Sequence, residues 1–239
     1  MLINNASRQQ VEELPAAIRA NHTLTSLDIW NTNLGGDAVT ALRVSLANCP
    51  QICWLSLFNT KLGDAGVEIL LKKGDLYKLR ALSLQQNELG DGSAHLLAKT
   101  LRNNSSLTWL DLQSNNIGVE GVEALMRSLR PHVELHDHKS TTNETLLHLH
   151  LHDNSFNTLD NDGTYPSMRS LETSISLSLQ RNFRSSRSSL ATKSGGDAKA
   201  GSSVKEGNAT RVKVVATSRR ADVVMKEVTK AFWTTHIEQ

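Results

Sequence analysis

Apolar residues recur along the first three-quarters of the chain in a fixed order, L-x-x-L-x-L-x-x-N-x-L followed by glycine and a helical stretch. Four segments carry it clearly: LTSLDIWNTNLG from Leu24, ICWLSLFNTKLG from Ile52, LRALSLQQNELG from Leu79 and LTWLDLQSNNIG from Leu107. LLHLHLHDNSF from Leu146 fits as a fifth, and SISLSLQRNF from Ser174 reads as a degraded sixth. The starts lie 28, 27, 28, 39 and 28 residues apart, so an insertion falls before the fifth, within VELHDHKSTTNE. Self-similarity at such a period marks a stacked-repeat architecture.

Each part of the pattern has a physical reason. The apolar residues at positions 4 and 6 alternate on a short strand, so both enter one core. Position 9 is Asn87, Asn115, Asn154 and Asn182 in the later units and Thr32 and Thr60 in the first two. A buried amide there can satisfy backbone donors and acceptors that a hydroxyl serves less fully. Gly35, Gly63, Gly90 and Gly118 are expected to permit the turn after the strand. The second half of each unit is helical: GVEALMRSLR places Val122, Leu125, Met126 and Leu129 on one face, and AVTALRVSLAN and GVEILLKKG repeat the arrangement. One unit cannot bury its own apolar face, whereas stacked units share a core.

These residues resemble the ribonuclease-inhibitor-like class of leucine-rich repeats, found in NOD-like receptors, Ran GTPase-activating proteins and intracellular scaffolds. The resemblance covers about residues 1–182. It implies an α/β solenoid, a right-handed horseshoe with parallel strands on the concave face and helices on the convex one. It also implies a non-catalytic protein-interaction module. The alternatives are a fragment of a NOD-like receptor sensing array, or a small-GTPase regulator resembling Ran GTPase-activating proteins. Counting 28 residues back from Thr32 puts Asn4 at position 9 and Met1 at position 6 of a truncated first unit, so the chain is expected to be a piece of a longer array.

The net charge of +2 conceals an asymmetry: residues 181–239 hold 12 Lys/Arg against 5 Asp/Glu. Residues 183–210 read as a flexible Ser/Gly/Lys-rich linker, because such a composition cannot offset its ordering entropy. Residues 211–239 include an amphipathic helix with Val224, Met225, Val228 and Phe232 on one face. The N-terminus lacks the basic start and apolar core of a secretory signal, and no stretch is long and apolar enough for a membrane span. Cys49 and Cys53 cannot form a disulfide scaffold or a zinc site. The expected location is the cytoplasm, with the basic tail admitting the nucleus.

Positions 3, 5 and 7 of each strand point outward. They read Ser26, Asp28, Trp30; Trp54, Ser56, Phe58; Ala81, Ser83, Gln85; Trp109, Asp111, Gln113; His148, His150, His152; and Ser176, Ser178, Gln180. Four of the ten aromatics of the chain fall in these 18 positions, where an even spread would place fewer than one. Exposed tryptophan is typical of binding hot spots. The expected partner is therefore another protein, docking over Trp30, Trp54, Phe58 and Trp109, with Asp28, Asp111, Gln85 and Gln113 as polar contacts. Ala81 and Gln85 on the middle strand should interrupt the aromatic columns and leave a depression beside Trp109, with all four aromatics outside the core.

His148, His150 and His152 share one face about 6.5–7 Å apart, with His136 and His138 in the nearby insertion. A flat triplet is a poor tetrahedral cage, so it is only a weak metal candidate. Nucleophile, phosphate-loop and zinc-protease motifs do not occur, and no basic concave face favours nucleic acid. No enzyme, cofactor or nucleic-acid partner is expected.

Overall fold

The computed structural model describes residues 1–72, 78–129, 143–157 and 175–186. Strand and helix alternate as the repeat requires: β1 (Leu2–Asn4), α1 (Arg8–Ala20), β2 (Ser26–Trp30), α2 (Gly36–Asn48), β3 (Trp54–Phe58), α3 (Gly63–Leu71), β4 (Ala81–Ser83), α4 (Asp91–Asn103), β5 (Trp109–Asp111), α5 (Val119–Leu129) and β6 (His148–His150). A 3-10 turn at Ser155–Asn157 follows. The six strands form one parallel sheet in chain order. Equivalent repeat positions pair directly, as Leu55↔Leu82 and Leu82↔Leu110.

The core lies between sheet and helices. Leu27, Ile29, Leu57, Leu82, Leu84, Leu110 and Leu112, all from strand positions 4 and 6, are fully buried. Val39, Leu70, Leu97 and Leu125 close it from the helical side. Leu110→Ala is expected to cost about 2–5 kcal/mol in urea denaturation, because neighbouring units on both sides hold the cavity open.

The position-9 residues form a buried ladder. Asn87 Oδ1 accepts from the backbone N–H of Thr60 at 3.0 Å and of Leu62 at 3.2 Å. Asn115 Oδ1 does the same for Asn87 and Leu89 at 2.8 and 3.1 Å, and Asn154 Oδ1 for Ile117 at 3.0 Å. Thr32 has one hydroxyl for the task, which accepts from Ala6 N and donates to Trp30 O.

Three expectations are corrected. Glycine is not what turns the chain after each strand. The left-handed residue is position 8, with φ of 49–57° at Asn5, Asn31, Asn59, Gln86, Ser114 and Asp153, and among the described glycines only Gly63 shares that region. Gly90 and Gly118 answer a different need, close approach. Their N–H groups donate to Asp64 and Asp91 of the preceding unit at 2.8 and 2.7 Å, where a Cβ would stand 3.2 and 2.9 Å from a carboxylate oxygen.

The first unit is in a different register. Ile3 pairs with Ile29, so Asn4 sits at position 7 and Ala6 at position 9. Two residues of turn are missing, because Ser7 caps α1 directly through a capping box with Gln10 where later units insert a leucine turn first.

Residues 175–186 are helical, not a sixth strand. Ile175, Ser178, Leu179 and Asn182 are buried while Leu177 is exposed, a spacing of three and four that overrides the alternation seen in the sequence. Asn182 accordingly caps no strand turn. Its Nδ2 donates to the carbonyls of Asn143 and Leu146, and Arg181 donates to Leu129 O at the end of α5. Ser176, Ser178 and Gln180 thus leave the set of concave positions. The 130–142 insertion, the 187–210 part of the linker and the 211–239 segment lie outside the described residues.

Candidate protein-binding face

Parallel register converts the repeat into three rows of side chains running across the strands. Position 5 supplies Asp28, Ser56, Ser83, Asp111 and His150 in that order. Position 3 stands on one side with Trp54, Ala81, Trp109 and His148, and position 7 on the other with Trp30, Phe58, Gln85 and Gln113. Short polar groups between two bulky rows make a trough. It encloses about 480 Å³, lined by Leu2, Asp28, Trp30, Trp54, Ser56, Phe58, Ser83, Gln85, Trp109 and Asp111.

The aromatics are braced. Trp54 and Trp109 stack with ring centroids 5.3 Å apart and planes at 23°. The small Ala81 between them, fully buried, lets the rings meet above it, so the break expected at Ala81 is closed rather than open. Trp109 is buried in consequence and touches His150 on its other side at 5.4 Å. Trp54 donates its indole N–H to Asp28 Oδ1 at 2.9 Å. Trp30 is the exposed member, 39% accessible, meeting Phe58 edge-on at 6.0 Å and donating to Ser56 Oγ at 3.3 Å.

The two carboxylates differ sharply. Both oxygens of Asp28 are occupied, by Trp54 Nε1 and by Ser26 Oγ. Asp111 is fully buried; its Oδ1 accepts from Gln113 N at 3.0 Å, while Oδ2 meets no donor within hydrogen-bond distance. Burial raises its pKa to about 7, against the opposing influence of the Gln113 backbone and of the Gln113 and Ser83 side chains. Gln113 lies beneath the surface and bridges from Asp111 to His150, its Nε2 3.0 Å from the ring Nδ1.

His148 and His150 on β6, with His152 just beyond it, line the outer edge of the same face. Burial lowers all three pKa values, His150 to about 4 with the added charge of its two histidine neighbours. Among the described residues no group of three His, Cys, Asp or Glu converges to hold a metal ion. His136 and His138 lie outside the described residues.

A model of the family described as Leucine Rich repeat matches residues 20–42 and 103–126, the second and fifth strand–helix units. Ribonuclease inhibitor of Sus scrofa is 34% identical over 95 residues, 39% of this chain and 20% of that protein. The chain carries ribonuclease-inhibitor-like leucine-rich repeats. Other relatives share such a segment within much longer proteins. Tonsoku-like protein of Mus musculus is 31% identical over 109 residues, 44% of this chain and 8% of its own length. NACHT, LRR and PYD domains-containing protein 2 of Homo sapiens is 28% identical over 158 residues, 53% of this chain and 15% of its own. This leucine-rich repeat chain thus spans a fifth or less of these curated relatives.

Among solved structures, leiomodin-1 actin-binding site 2 superposes with a TM-score of 0.58 at 15% identity, covering 79% of this chain and 96% of that one. The tropomodulin C-terminal domain of Caenorhabditis elegans does so at 0.54 and 21%, covering 76% and 98%. Both likenesses establish the fold. Repeats of this kind generally serve protein interaction, and no helix among the described residues is long and apolar enough to cross a membrane.

Proposed function

We propose that this leucine-rich repeat array is a non-catalytic interaction module whose protein partner docks in the concave trough, anchored on Trp30, Phe58 and the Trp54–Trp109 pair. The observation that supports this most is the concentration of aromatic side chains around one 480 Å³ depression whose floor is polar. Aromatic walls with a few placed polar groups are the composition of binding hot spots. A trough built across five strands also presents a preformed surface, which limits the ordering cost of association.

Trp30 is the better residue to test than Trp54 or Trp109, which brace one another and Asp28. Affinity capture with wild type and Trp30→Ala should show partner binding reduced by about thirtyfold, the equivalent of roughly 2 kcal/mol. The melting temperature should hardly change, since Trp30 contributes little to the core. Equal capture by both proteins would refute docking at this face.

A further inference from the structure

Two indoles reach across the trough floor from opposite sides. Trp54, at position 3 of β3, donates to Asp28 Oδ1 on β2, and Trp30, at position 7 of β2, donates to Ser56 Oγ on β3. Asp28 and Ser56 face each other in the register, about 4.8 Å apart, so the two indole N–H groups point to one stretch of floor. A ring held to the floor by its N–H stands on edge, with its faces as walls. Trp54 stacks one face on Trp109 of β5, so its other face looks back toward β2 and Asp28. Phe58 meets Trp30 edge-on from β3, and Leu2 of β1, which pairs with Asp28, stands at the end of the trough. Asp28 is partly exposed at the foot of this enclosure.

The charges favour a cation. Among the described residues that line the trough there is no Lys or Arg, and its two ionisable side chains are Asp28 and Asp111. Aromatic faces add to this, because their quadrupole attracts positive charge. Each Asp28 oxygen nevertheless accepts a hydrogen bond from the array already, one from Trp54 Nε1 and the other from Ser26 Oγ, and Ser56 Oγ accepts from Trp30. The enclosure therefore offers negative potential with its near acceptors engaged. A primary ammonium entering it would give up water for few new hydrogen bonds. A quaternary ammonium has no N–H to satisfy and spreads its charge over methyl groups, which suits aromatic walls.

We propose that the enclosure of Trp30, Trp54 and Phe58 over Asp28 is an aromatic cage for a trimethylated lysine side chain of the protein partner. The proposal rests on the concave docking reading and names the side chain that this face selects. A lysine carries the cation at the end of an apolar stem, and Trp30, with 39% of its surface accessible, gives that stem a ring to lie along. The trough runs across the strands, so a partner segment passing over it can lower one side chain onto Asp28 while its backbone stays above the walls.

The test uses the whole chain and Nα-acetyl-Nε-trimethyl-lysine amide as probe, followed by the indole N–H resonances of Trp30 and Trp54. The probe should bind at least about tenfold tighter than Nα-acetyl-lysine amide, and by a similar margin over the uncharged isostere in which carbon replaces the quaternary nitrogen. It should also bind more tightly than choline, which lacks the lysine stem. Trp30→Ala should remove both preferences. Asp28→Asn, which keeps an acceptor for Trp54, should cut the preference for the probe over its carbon isostere by at least about threefold. Equal binding of the probe and lysine amide would overturn the proposal. So would equal binding of the carbon isostere, which would make the enclosure a plain apolar pocket, and so would choline binding as tightly as the probe. Wild type alone supplies the comparison of the four compounds, so the test does not depend on the stability of a variant. Loss of partner capture in Trp30→Ala together with no methyl preference in wild type would keep the docking face and discard its methyl-lysine chemistry.

Discussion

Replacing Asn115 by alanine should destabilise the array by at least about 4 kcal/mol, as much as deleting a large core side chain. The side chain accepts from Asn87 N and Leu89 N and donates to the carbonyls of Leu84, Leu112 and Gln113, at 2.8–3.1 Å. Alanine leaves the two N–H groups unpaired at a buried position. Each orphaned buried group costs about 1–3 kcal/mol, and the carbonyls add to that. Asn115→Asp tests the donor half separately, because it keeps the acceptor and sets a charge against carbonyl oxygens. Thr32→Ala, at the thin end of the ladder, releases only Ala6 N and Trp30 O and should cost far less. Urea denaturation of the three variants gives the order directly. A loss below about 1 kcal/mol for Asn115→Ala would mean that the ladder is not what ties the strand ends together.

That ladder was legible in the sequence because asparagine has two acceptor and two donor sites in one rigid plane, and its recurrence at the same place in successive units, as Asn87, Asn115 and Asn154, has no simpler cause. The leucine positions were legible for the same reason. What the pattern hid was any feature carried by unlike residues. The left-handed corner after each strand is held by Asn, Gln, Ser and Asp in turn, so no letter repeats and the eye goes to the glycines further on. The glycines were visible, but their reason, the carboxylates of Asp64 and Asp91 from the preceding unit, is a contact across 26–30 residues that spacing alone does not contain. Residues 175–186 misled because Ser-Ile-Ser-Leu-Ser-Leu alternates in sequence, while burial of Ile175, Leu179 and Asn182 follows the helix.

The candidate face was legible as a set of outward positions but not as a shape. Register gives the rows, and rows place Trp54 and Trp109 at the same height with Ala81 between. Whether a gap at Ala81 stays open depends on side-chain reach, and two indoles are large enough to close it. Leu2, opposite Asp28 on β1, adds an aliphatic side chain to the trough. The burial of Asp111 is likewise invisible in the pattern: the same position holds a partly exposed Asp28 three strands earlier.

Asp111 and His150 pair across β5 and β6, and their pKa displacements should give the array two opposed pH dependences that single substitutions uncover. Asp111 binds its proton more tightly folded, near pH 7, than unfolded, near 3.8. Its contribution is therefore fully present below about pH 4 and is lost as pH rises through 7. The slope is about 1.4 kcal/mol per pH unit wherever the folded state alone holds the proton. His150 is displaced the other way, from 6.5 to about 4, so its contribution is present above 6.5 and lost as pH falls toward 4. Between about pH 4 and 6.5 the two slopes oppose each other, and wild type should show little net dependence beyond a gentle rise from His148 and His152. Asp111→Asn keeps the shape and removes the charge. Its stability should climb with pH across that window and exceed wild type at pH 8 by on the order of 4 kcal/mol. His150→Gln should do the reverse and lose stability steadily from pH 4 to 7. Urea unfolding at half-unit intervals from pH 4 to 8 measures all three curves, and variants that run parallel to wild type throughout would show that neither group carries a displaced proton equilibrium in the folded array.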